Sequence, residues 1–393
     1  MTNIVILSGA RTAIGTFGGS LSNVNPIELG TIVAKEALNR AEISPSKIGH
    51  VAFGHVINTE TRDAYLSRVA AIKAGIPDST PAMNVNRLCG SGLQAIVSVM
   101  QSLLLGDAEF GLAGGAENMS QAPYFLQKTR WGQKMGDTIA QDMLLGALNC
   151  PFGTGHMGIT AENVAKENNI SRDAQDMFAL ESQNRAAAAI KAGYFNDQIV
   201  PVIIQKKRES IEFKTDEHPK LSTIQSLTSL KTAFQKDGTV TAGNASGLND
   251  GAGALVLGTE DAANAAGLKP RARILGYAHA GVRPEVMGIG PVPAVQNLFE
   301  KTGLSVKDFD VIESNEAFAA QALAVNKNLG LDPNKVNPNG GAIALGHPIG
   351  ATGTIIAIKA LYELERTGGS KALITMCIGG GQGIALAIER LNH

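Results

Sequence analysis

Three shortages in the sequence exclude whole classes of protein. Three of its 393 residues are cysteine, and they lie far apart, which argues against a disulfide framework and against the paired spacing of a zinc site. The formal net charge is −1, so the chain has no bulk attraction to nucleic acid or to an anionic membrane. No apolar run is long enough to span a bilayer, and no targeting segment precedes the first predicted strand, at residues 4–7. We therefore expect a cytoplasmic protein without a metal, nucleic-acid or membrane partner.

Glycine, by contrast, is abundant, with 45 residues scattered along the chain, and short β-rich runs alternate with helical runs. This alternation is typical of an α/β protein. Residues 43–53 align with residues 304–314, and the segments that follow each of them keep the same order of strands and helices. We therefore predict two related core halves, residues 1–118 and 250–393, separated by a more polar loop domain at residues 119–249 that covers the site.

Cys89 lies where an extended segment, residues 81–85, gives way to a helix predicted from Gly92 to about Leu105. A thiol in front of a helix faces its free N–H groups and the positive end of its dipole. Both favour the thiolate, the form that attacks carbonyl carbons. A small buried core cysteine is the alternative, and this stretch alone leaves both explanations open.

His347 lies within residues 337–353, a run dense in glycine, where the backbone can approach a ligand or another chain closely. A histidine so placed could serve as the base for a thiol, and the alternative is a structural loop residue. A phosphate-binding loop is disfavoured, because the run lacks the Gly-Lys-Ser/Thr ending and the Gly-x-Gly-x-x-Gly spacing of such loops.

Two further candidates follow predicted strands. Cys377 leads into a turn at residues 379–381 whose free N–H groups could form an oxyanion hole, although a buried cysteine beside a turn is an equal alternative. Asn315 could cap a helix or could hold a water or ligand near His347. Two cysteines, a histidine and an asparagine in a duplicated α/β frame are typical of covalent acyl transfer through a thioester, which requires neither a metal nor a redox cofactor.

Four runs at these positions, residues 86–92, 315–318, 341–353 and 377–381, resemble the four signatures of the thiolases, and the resemblance extends over the whole chain. It implies the thiolase fold, in which duplicated βαβαβαββ halves form a layered αβαβα core with an inserted loop domain. It also implies an acyltransferase that condenses two acetyl-CoA to acetoacetyl-CoA and CoA, reversibly. Coenzyme A would then be part of the substrate, with no permanently bound cofactor.

The resemblance assigns a role to each candidate. Cys89 would be the acylated nucleophile and His347 would activate it, while Cys377 would remove or return the α-proton of the second acetyl-CoA. The Nε2 atom of His347 and a water held by Asn315 would form one oxyanion hole. The backbone N–H groups of Cys89 and Gly379 would form the other.

Contacts to CoA are implied for a further set of residues. Those against the pantetheine or thioester part would be Leu148, His156, Met157, Ser246, Ala317 and Phe318. Ser226 would lie near the adenine nucleotide. Thiolases of the biosynthetic type often carry an arginine just before this region, where the present chain has Lys220, so nucleotide binding is expected to rest on Lys220 or on the basic run at residues 206–208. A solvated face is the alternative for that run.

Several alternatives stay open at this stage. A degradative 3-ketoacyl-CoA thiolase of broader chain length shares these motifs, and the bulky loop at residues 121–126 leaves the chain-length preference undecided. A CoA-binding partner subunit without catalysis would keep the fold. A β-ketoacyl synthase relative would use two histidines in place of His347 and Cys377. The resemblance further implies a homo-oligomer, commonly a homotetramer, and a role such as fatty acid metabolism.

Overall fold

The computed structural model describes residues 2–206 and 209–391, so Lys207 and Arg208 of the basic run lie outside the described residues. Its helices, numbered along the chain, are α1 (Pro26–Arg40), α2 (Leu66–Lys73), α3 (Ser91–Leu104), α4 (Met143–Leu148), α5 (Met157–Asn168), α6 (Arg172–Ala192), α7 (Ile224–Thr228), α8 (Glu260–Ala265), α9 (Pro291–Thr302), α10 (Ala319–Leu329), α11 (Ala342–Leu345) and α12 (Thr352–Thr367).

The strands, numbered in the same way, are β1 (Ile4–Arg11), β2 (Gly15–Thr16), β3 (Ile48–Gly54), β4 (Ala82–Val85), β5 (Phe110–Asn118), β6 (Tyr124–Leu126), β7 (Ala140–Asp142), β8 (Asn149–Cys150), β9 (Gly155–His156), β10 (Val202–Lys206), β11 (Glu209–Phe213), β12 (Asn249–Thr259), β13 (Ala272–Gly281), β14 (Val311–Ser314), β15 (Lys371–Ile378) and β16 (Gln382–Arg390).

The core strands follow one hydrogen-bonded order, β14-β15-β16-β13-β1-β12-β5-β3-β4, and the two halves meet where β1 pairs with β13. In the first half, β3 is parallel to β4 and β5, and β12 is antiparallel to β5 and β1. In the second half, β14 is parallel to β15, and β16 is antiparallel to β15 and β13. This repeated order confirms the predicted duplication of an α/β unit.

Strand β12 follows the predicted loop domain in sequence but pairs with β1 and β5, and nearly all of it is buried. A strand from beyond the loop domain therefore completes the sheet of the first half. The division of the chain at residues 118 and 249 stays a prediction.

Helices α3 and α12 hold equivalent places in the two halves and pack against each other. One apolar cluster joins Leu93 and Ile96 of α3 with Ile356 and Leu361 of α12, and with side chains from the strands of both halves. Separate clusters bury α1 and α9 against the strands of the first and second half. The strands of each half form one layer. Helices α3 and α12 lie between the two layers, and α1 and α9 lie outside them, as expected for an αβαβα core.

The N-terminal ends of α3 and α12 cross with no space for a side chain. A Cβ atom on Gly92 would lie 2.8 Å from the backbone nitrogen of Thr354, and one on Gly353 would collide with the backbone nitrogen of Leu93. Glycine is required on both helices, because a Cβ atom cannot approach backbone atoms this closely. The crossing sets the segment before α3, which contains Cys89, against the glycine-rich segment before α12.

The predicted loop domain contains helices α4 to α7 and three two-stranded ribbons, β6-β7, β8-β9 and β10-β11. A fully buried ion pair between Arg11 of β1 and Asp216, at 2.8 Å, connects it to the first half. Breaking such a pair would leave an uncompensated buried charge, so the connection is firm. Among the described residues, no helix combines the length and the apolarity needed to cross a bilayer.

One helix prediction is wrong in its first half. The sequence predicts one helix over residues 61–74, but the structure has a turn of 3-10 helix, Thr61–Tyr65, followed by α2. The Asp63 carboxylate accepts hydrogen bonds from the backbone N–H groups of Thr59 and Glu60, at 2.7 and 3.2 Å, and so tightens this turn.

The sequence predicts a strand over residues 110–113 that ends at Gly114 and Gly115, but β5 continues through both glycines to Asn118. A Cβ atom on Gly115 would lie 2.5 Å from the carbonyl oxygen of Gly350, in the segment before α12. Gly115 therefore marks a close approach of two backbones rather than a turn, and a Cβ atom on Gly114 would collide with the ring of Phe53.

The helix crossing predicts a large stability effect. Gly353→Ala is expected to lower the free energy of unfolding by about 3 kcal/mol, because the methyl group must push α3 and α12 apart. Urea unfolding followed by circular dichroism measures the change. Gly146→Ala, in the exposed helix α4 where a Cβ meets no atom within 4 Å, is the control and is expected to be neutral or slightly stabilising. Equal stability of the two variants would contradict the crossing.

Candidate active site

Cys89 precedes α3, and the left-handed backbone of Leu88, with φ of 46°, turns the chain toward the helix. Cys89 lines a cavity of about 390 Å³ together with His347, Cys377 and Gly379. These four residues come from the segment before α3, the segment before α12 and the end of β15 with the turn that follows it. The structure thus brings together four of the five predicted reactive positions, which lie far apart in sequence.

Burial raises the pKa of the Cys89 thiol and outweighs the hydrogen bonds from the backbone N–H groups of Gly379 and of Cys89 itself, which lower it. The carboxyl group of Glu117 raises this pKa further. The Cys89 thiol is therefore neutral at rest, and the helix end does not make it a thiolate as expected, because desolvation exceeds the effect of the N–H groups. Its role as nucleophile stays a prediction. The same two N–H groups are suited to a developing oxyanion, as predicted for the second oxyanion hole, but that role stays a prediction.

The ring of His347 is oriented by its neighbours. Its Nδ1 atom lies 2.7 Å from Oγ1 of Thr352, whose hydroxyl donates to the carbonyl oxygen of Pro348 at 2.9 Å. Because the hydroxyl has a single proton, its oxygen accepts from Nδ1–H, which leaves the lone pair on Nε2. The backbone N–H of His347 donates to Oδ1 of Asn249 at 2.9 Å and fixes the segment. His347 is thus arranged as a base at Nε2.

Burial lowers the pKa of His347 to about 4, so the imidazole is neutral near pH 7. Cys89 and His347 therefore rest as a neutral pair, without a thiolate–imidazolium ion pair. Once Nε2 has accepted the thiol proton it becomes a donor, and the same atom can then face an oxyanion.

Cys377 is fully buried at the end of β15. Burial and the nearby Cys89 raise the pKa of its thiol, which therefore keeps its proton at neutral pH. A protonated thiol of this kind is suited to give its proton to a basic leaving group and to take one back. The predicted role in α-proton transfer is chemically possible here and stays a prediction.

Asn315 is buried behind His347 and lies outside the set of residues that line the main cavity. Its Nδ2 atom is 3.5 Å from Nε2 of His347, at the outer limit of a hydrogen bond. Its Oδ1 atom is buried and has no hydrogen-bond partner among the described residues. Its predicted part in an oxyanion hole stays a prediction.

Aromatic rings form part of the cavity wall. The His156 ring stacks on Phe234 with centroids 4.6 Å apart, and Phe234 meets Phe318 edge to face at 6.2 Å. Met157 packs against Gly379, where a Cβ atom would lie 3.1 Å from the Met157 Cε atom. The residues predicted to contact pantetheine or the thioester all line the cavity: Leu148, His156, Met157, Ser246, Ala317 and Phe318. Their contacts with CoA stay predictions.

The two residues predicted near the nucleotide lie outside this lining. Ser226 is on the exposed helix α7, where its N–H donates to Oγ1 of Thr223 at 3.1 Å. The backbone N–H of Lys220 donates to Oε1 of Gln183 at 3.0 Å, and Lys220 borders a separate surface cavity of about 270 Å³ that Lys191 also lines. The structure therefore does not bring Ser226 or Lys220 to the reactive groups.

Sequence reasoning misses several residues that shape the site. Asn249 and Thr352, which hold His347, lie within glycine-rich runs, and that neighbourhood is a usable signal. Phe234, which stacks on His156, lies in an irregular segment and carries no such signal.

Glu117, at the end of β5, is also missed. Its fully buried carboxyl group accepts hydrogen bonds from the backbone N–H groups of Gly350 at 2.8 Å, Ile57 at 3.1 Å and Val56 at 3.2 Å. It therefore ties the segment that contains His347 to the first half. Among the described residues, no group of three or more His, Cys, Asp and Glu side chains could hold a metal ion.

Comparisons with known proteins connect the chain to one family. Residues 4–261 match "Thiolase, N-terminal domain", and residues 268–390 match "Thiolase, C-terminal domain". Beta-ketothiolase BktB of Cupriavidus necator is 60% identical over 390 residues, 99% of each chain. Acetyl-CoA acetyltransferase of the same organism is 51% identical over 393 residues, 99% of this chain and 100% of that one. The crystal structure of human mitochondrial 3-ketoacyl-CoA thiolase in complex with CoA is 45% identical, with a TM-score of 0.96 over 99% of this chain and 98% of that one.

The lowered pKa of His347 predicts the pH dependence of acyl transfer. A base with a pKa of about 4 stays unprotonated down to about pH 5, so the rate of Cys89 acetylation by acetyl-CoA should change little between pH 8 and pH 5.5. The rate should fall only as the pH approaches 4, where His347 becomes protonated. Rapid quenching and mass spectrometry of the acylated peptide give the rate. A loss centred near pH 6.5 would show an ordinary histidine and contradict the assignment.

Proposed function

The chain belongs to the thiolase family, and we propose that it condenses two acetyl-CoA to acetoacetyl-CoA and CoA, reversibly, through an acetyl-Cys89 intermediate. Coenzyme A enters as part of the substrate, and no permanently bound cofactor takes part. One observation carries the proposal: Cys89, His347 and Cys377 share one cavity, in which the backbone N–H of Gly379 donates a hydrogen bond to the Cys89 sulfur. Relatives named beta-ketothiolase and acetyl-CoA acetyltransferase support it.

In the first half-reaction, Nε2 of His347 takes the thiol proton of Cys89 as the sulfur attacks the carbonyl carbon of acetyl-CoA. The backbone N–H groups of Cys89 and Gly379 stabilise the oxyanion. The C–S bond to CoA then breaks, and the departing thiolate takes the proton of Cys377. The raised pKa of Cys377 keeps its thiol protonated until this step and makes the thiolate that it leaves a stronger base for the second half-reaction.

In the second half-reaction, the Cys377 thiolate removes the α-proton of a second acetyl-CoA. The resulting enolate faces Nε2–H of His347, and its carbon attacks the acetyl group on Cys89. The Cys89 sulfur leaves and recovers its proton from His347. Both thiols and the imidazole return to their starting states, so two acetyl-CoA yield one acetoacetyl-CoA and one CoA.

The cavity argues against two of the alternatives. A CoA-binding subunit without catalysis has no need of two thiols and an oriented imidazole in one place. A β-ketoacyl synthase relative would use a second histidine where Cys377 lies. The other histidine of the cavity, His156, stacks on Phe234 and accepts the N–H of Gly158 at its Nδ1 atom, at 3.0 Å.

Thiolysis of a chain-length series tests the proposal. At fixed CoA, acetoacetyl-CoA is expected to react, and the rate is expected to fall as the 3-ketoacyl chain lengthens. Cys89→Ala is the control and should form no acyl-enzyme. Equal rates on long chains would instead indicate a broad degradative thiolase. The apolar cavity wall at Leu88 and Leu144 would then be the part that accommodates the longer acyl chain, because the exposed strand Tyr124–Leu126 does not line the cavity. No thiolysis of any substrate would contradict the proposal.

We further propose that the protein is a cytoplasmic homotetramer with a role in fatty acid metabolism. The segment from β6 to β7 exposes large apolar side chains, with Trp131 and Met135 each 90% exposed and Ile139 75% exposed. Such a patch on a water-soluble chain favours coverage by another subunit. The location rests on the composition of the sequence, and the metabolic role rests on the resemblance alone.

The exposed segment predicts a change of mass. Size-exclusion chromatography with light scattering is expected to give four chains for the wild-type protein and fewer for Trp131→Ser/Met135→Ser, which loses apolar contact area. Leu105→Ser, at a residue 80% exposed outside this segment, is the control and should keep the wild-type mass. A wild-type monomer, or an unchanged mass of the double variant, would contradict the assignment.

A further inference from the structure

Behind Asn315, β14 and α12 enclose a second, much smaller cavity of about 20 Å³. Glu313, Asn315 and Lys359 line it, and each is at most 3% exposed. Glu313 belongs to β14, Asn315 directly follows that strand, and Lys359 of α12 pairs with Glu313 across the cavity. The space is about the size of one water molecule, and its polar lining is completed by Ser314, Asn337 and Thr352.

Glu313, Asn315 and Lys359 each have one hydrogen-bonding position that no described residue fills. The Lys359 ammonium donates to Oε2 of Glu313 and to the carbonyl oxygen of Gly340, both at 2.8 Å, and an ammonium has three donors. Oε1 of Glu313 and Oδ1 of Asn315 are buried without a hydrogen-bond partner among the described residues. Burial raises the pKa of Glu313 to about 7 despite the adjacent Lys359, which agrees with an incompletely solvated carboxylate.

Oε1 of Glu313 and Oδ1 of Asn315 are open acceptors, and Lys359 has an open donor. A single water molecule complements them, because it donates two hydrogen bonds and accepts up to two, which leaves one position for the hydroxyl of Ser314, also buried without a partner among the described residues. We propose that one water occupies this cavity, accepts from Lys359, and donates to Oε1 of Glu313 and Oδ1 of Asn315. Buried waters commonly make about three hydrogen bonds. A metal cation in the same place is disfavoured, because the Lys359 ammonium would repel it.

The water makes Glu313 and Lys359 positioning residues for Asn315, an inference that rests on the proposed function. With Oδ1 bound to the water, Nδ2 of Asn315 faces Nε2 of His347, 3.5 Å away. The opposite amide orientation would set Oδ1 against the Nε2 lone pair, an acceptor against an acceptor. The buried ion pair therefore keeps a donor directed toward the reactive side, without touching the substrate.

Two matched double variants test this role. Glu313→Gln/Lys359→Met removes the ion pair but keeps an acceptor oxygen for the water, whereas Glu313→Leu/Lys359→Met makes the cavity apolar. Both replace the charged pair by neutral side chains of similar size, which buried sites often tolerate. We expect condensation kcat of the Leu variant to be about tenfold below kcat of the Gln variant, at unchanged KM.

A double-mutant cycle separates positioning from structural damage. In an Asn315→Ala background, the two double variants should have equal kcat, because the water then has no amide to hold. A merely structural role would lower kcat and thermal stability of both variants in both backgrounds. Equal kcat of the Gln and Leu variants in the wild-type background would overturn the proposal.

A crystal structure at high resolution tests the water directly. We expect density for one water about 2.8 Å from Oδ1 of Asn315 in the wild-type protein and in the Gln variant, and none in the Leu variant. An empty wild-type cavity, or a cation in it, would overturn the proposal. A wild-type protein without thiolase activity would refute the proposed function instead, and the density in the cavity would still decide the inference about the water.

Discussion

The crossing of α3 and α12 is the contact on which the site depends. Gly92 and Gly353 let two helix ends approach until backbone meets backbone, with no side chain between them. Each helix belongs to one half of the duplicated core, so the crossing sets the relative placement of the halves. It also explains how Cys89, before one helix, and His347, before the other, line one cavity. Glu117 reinforces the arrangement, because it binds Gly350 from the first half.

The burial of side chains at this crossing affects their protonation. The same packing that brings these groups together buries His347 and Cys377 and half-buries Cys89, and desolvation then favours the neutral form of all three. Reactivity is therefore not stored as a resting thiolate. In the proposed reaction it arises when a thioester carbonyl offers a place for negative charge beside backbone N–H groups and an imidazole whose proton position Thr352 determines.

Much of the fold was predictable, because patterns within short segments of the sequence indicate its helices and strands. The sequence predicts a helix over residues 172–192 and a helix that Asn25 caps, and the structure has both: α6 spans Arg172–Ala192, and the Asn25 side chain accepts the N–H of Ile27 at the start of α1. The glycines of β5 and the turn at Thr61–Tyr65 were not predictable, because each depends on a neighbour remote in sequence or on one side-chain contact. The thiolate at Cys89 was predicted wrongly for a related reason, since a helix end is visible in sequence and burial is not.

The sequence by itself determined the α/β class, the duplication, the reactive residues and the family, because spacing, repeats and glycine-rich motifs are local properties of the chain. Only the tertiary structure decided which protonation states the reactive groups hold, that Asn315 lies behind His347, and that Ser226 and Lys220 lie away from the cavity. It also decided that β12 completes the first half. These properties depend on burial and on contacts between distant segments, which exist only after the two halves have packed around their central helices.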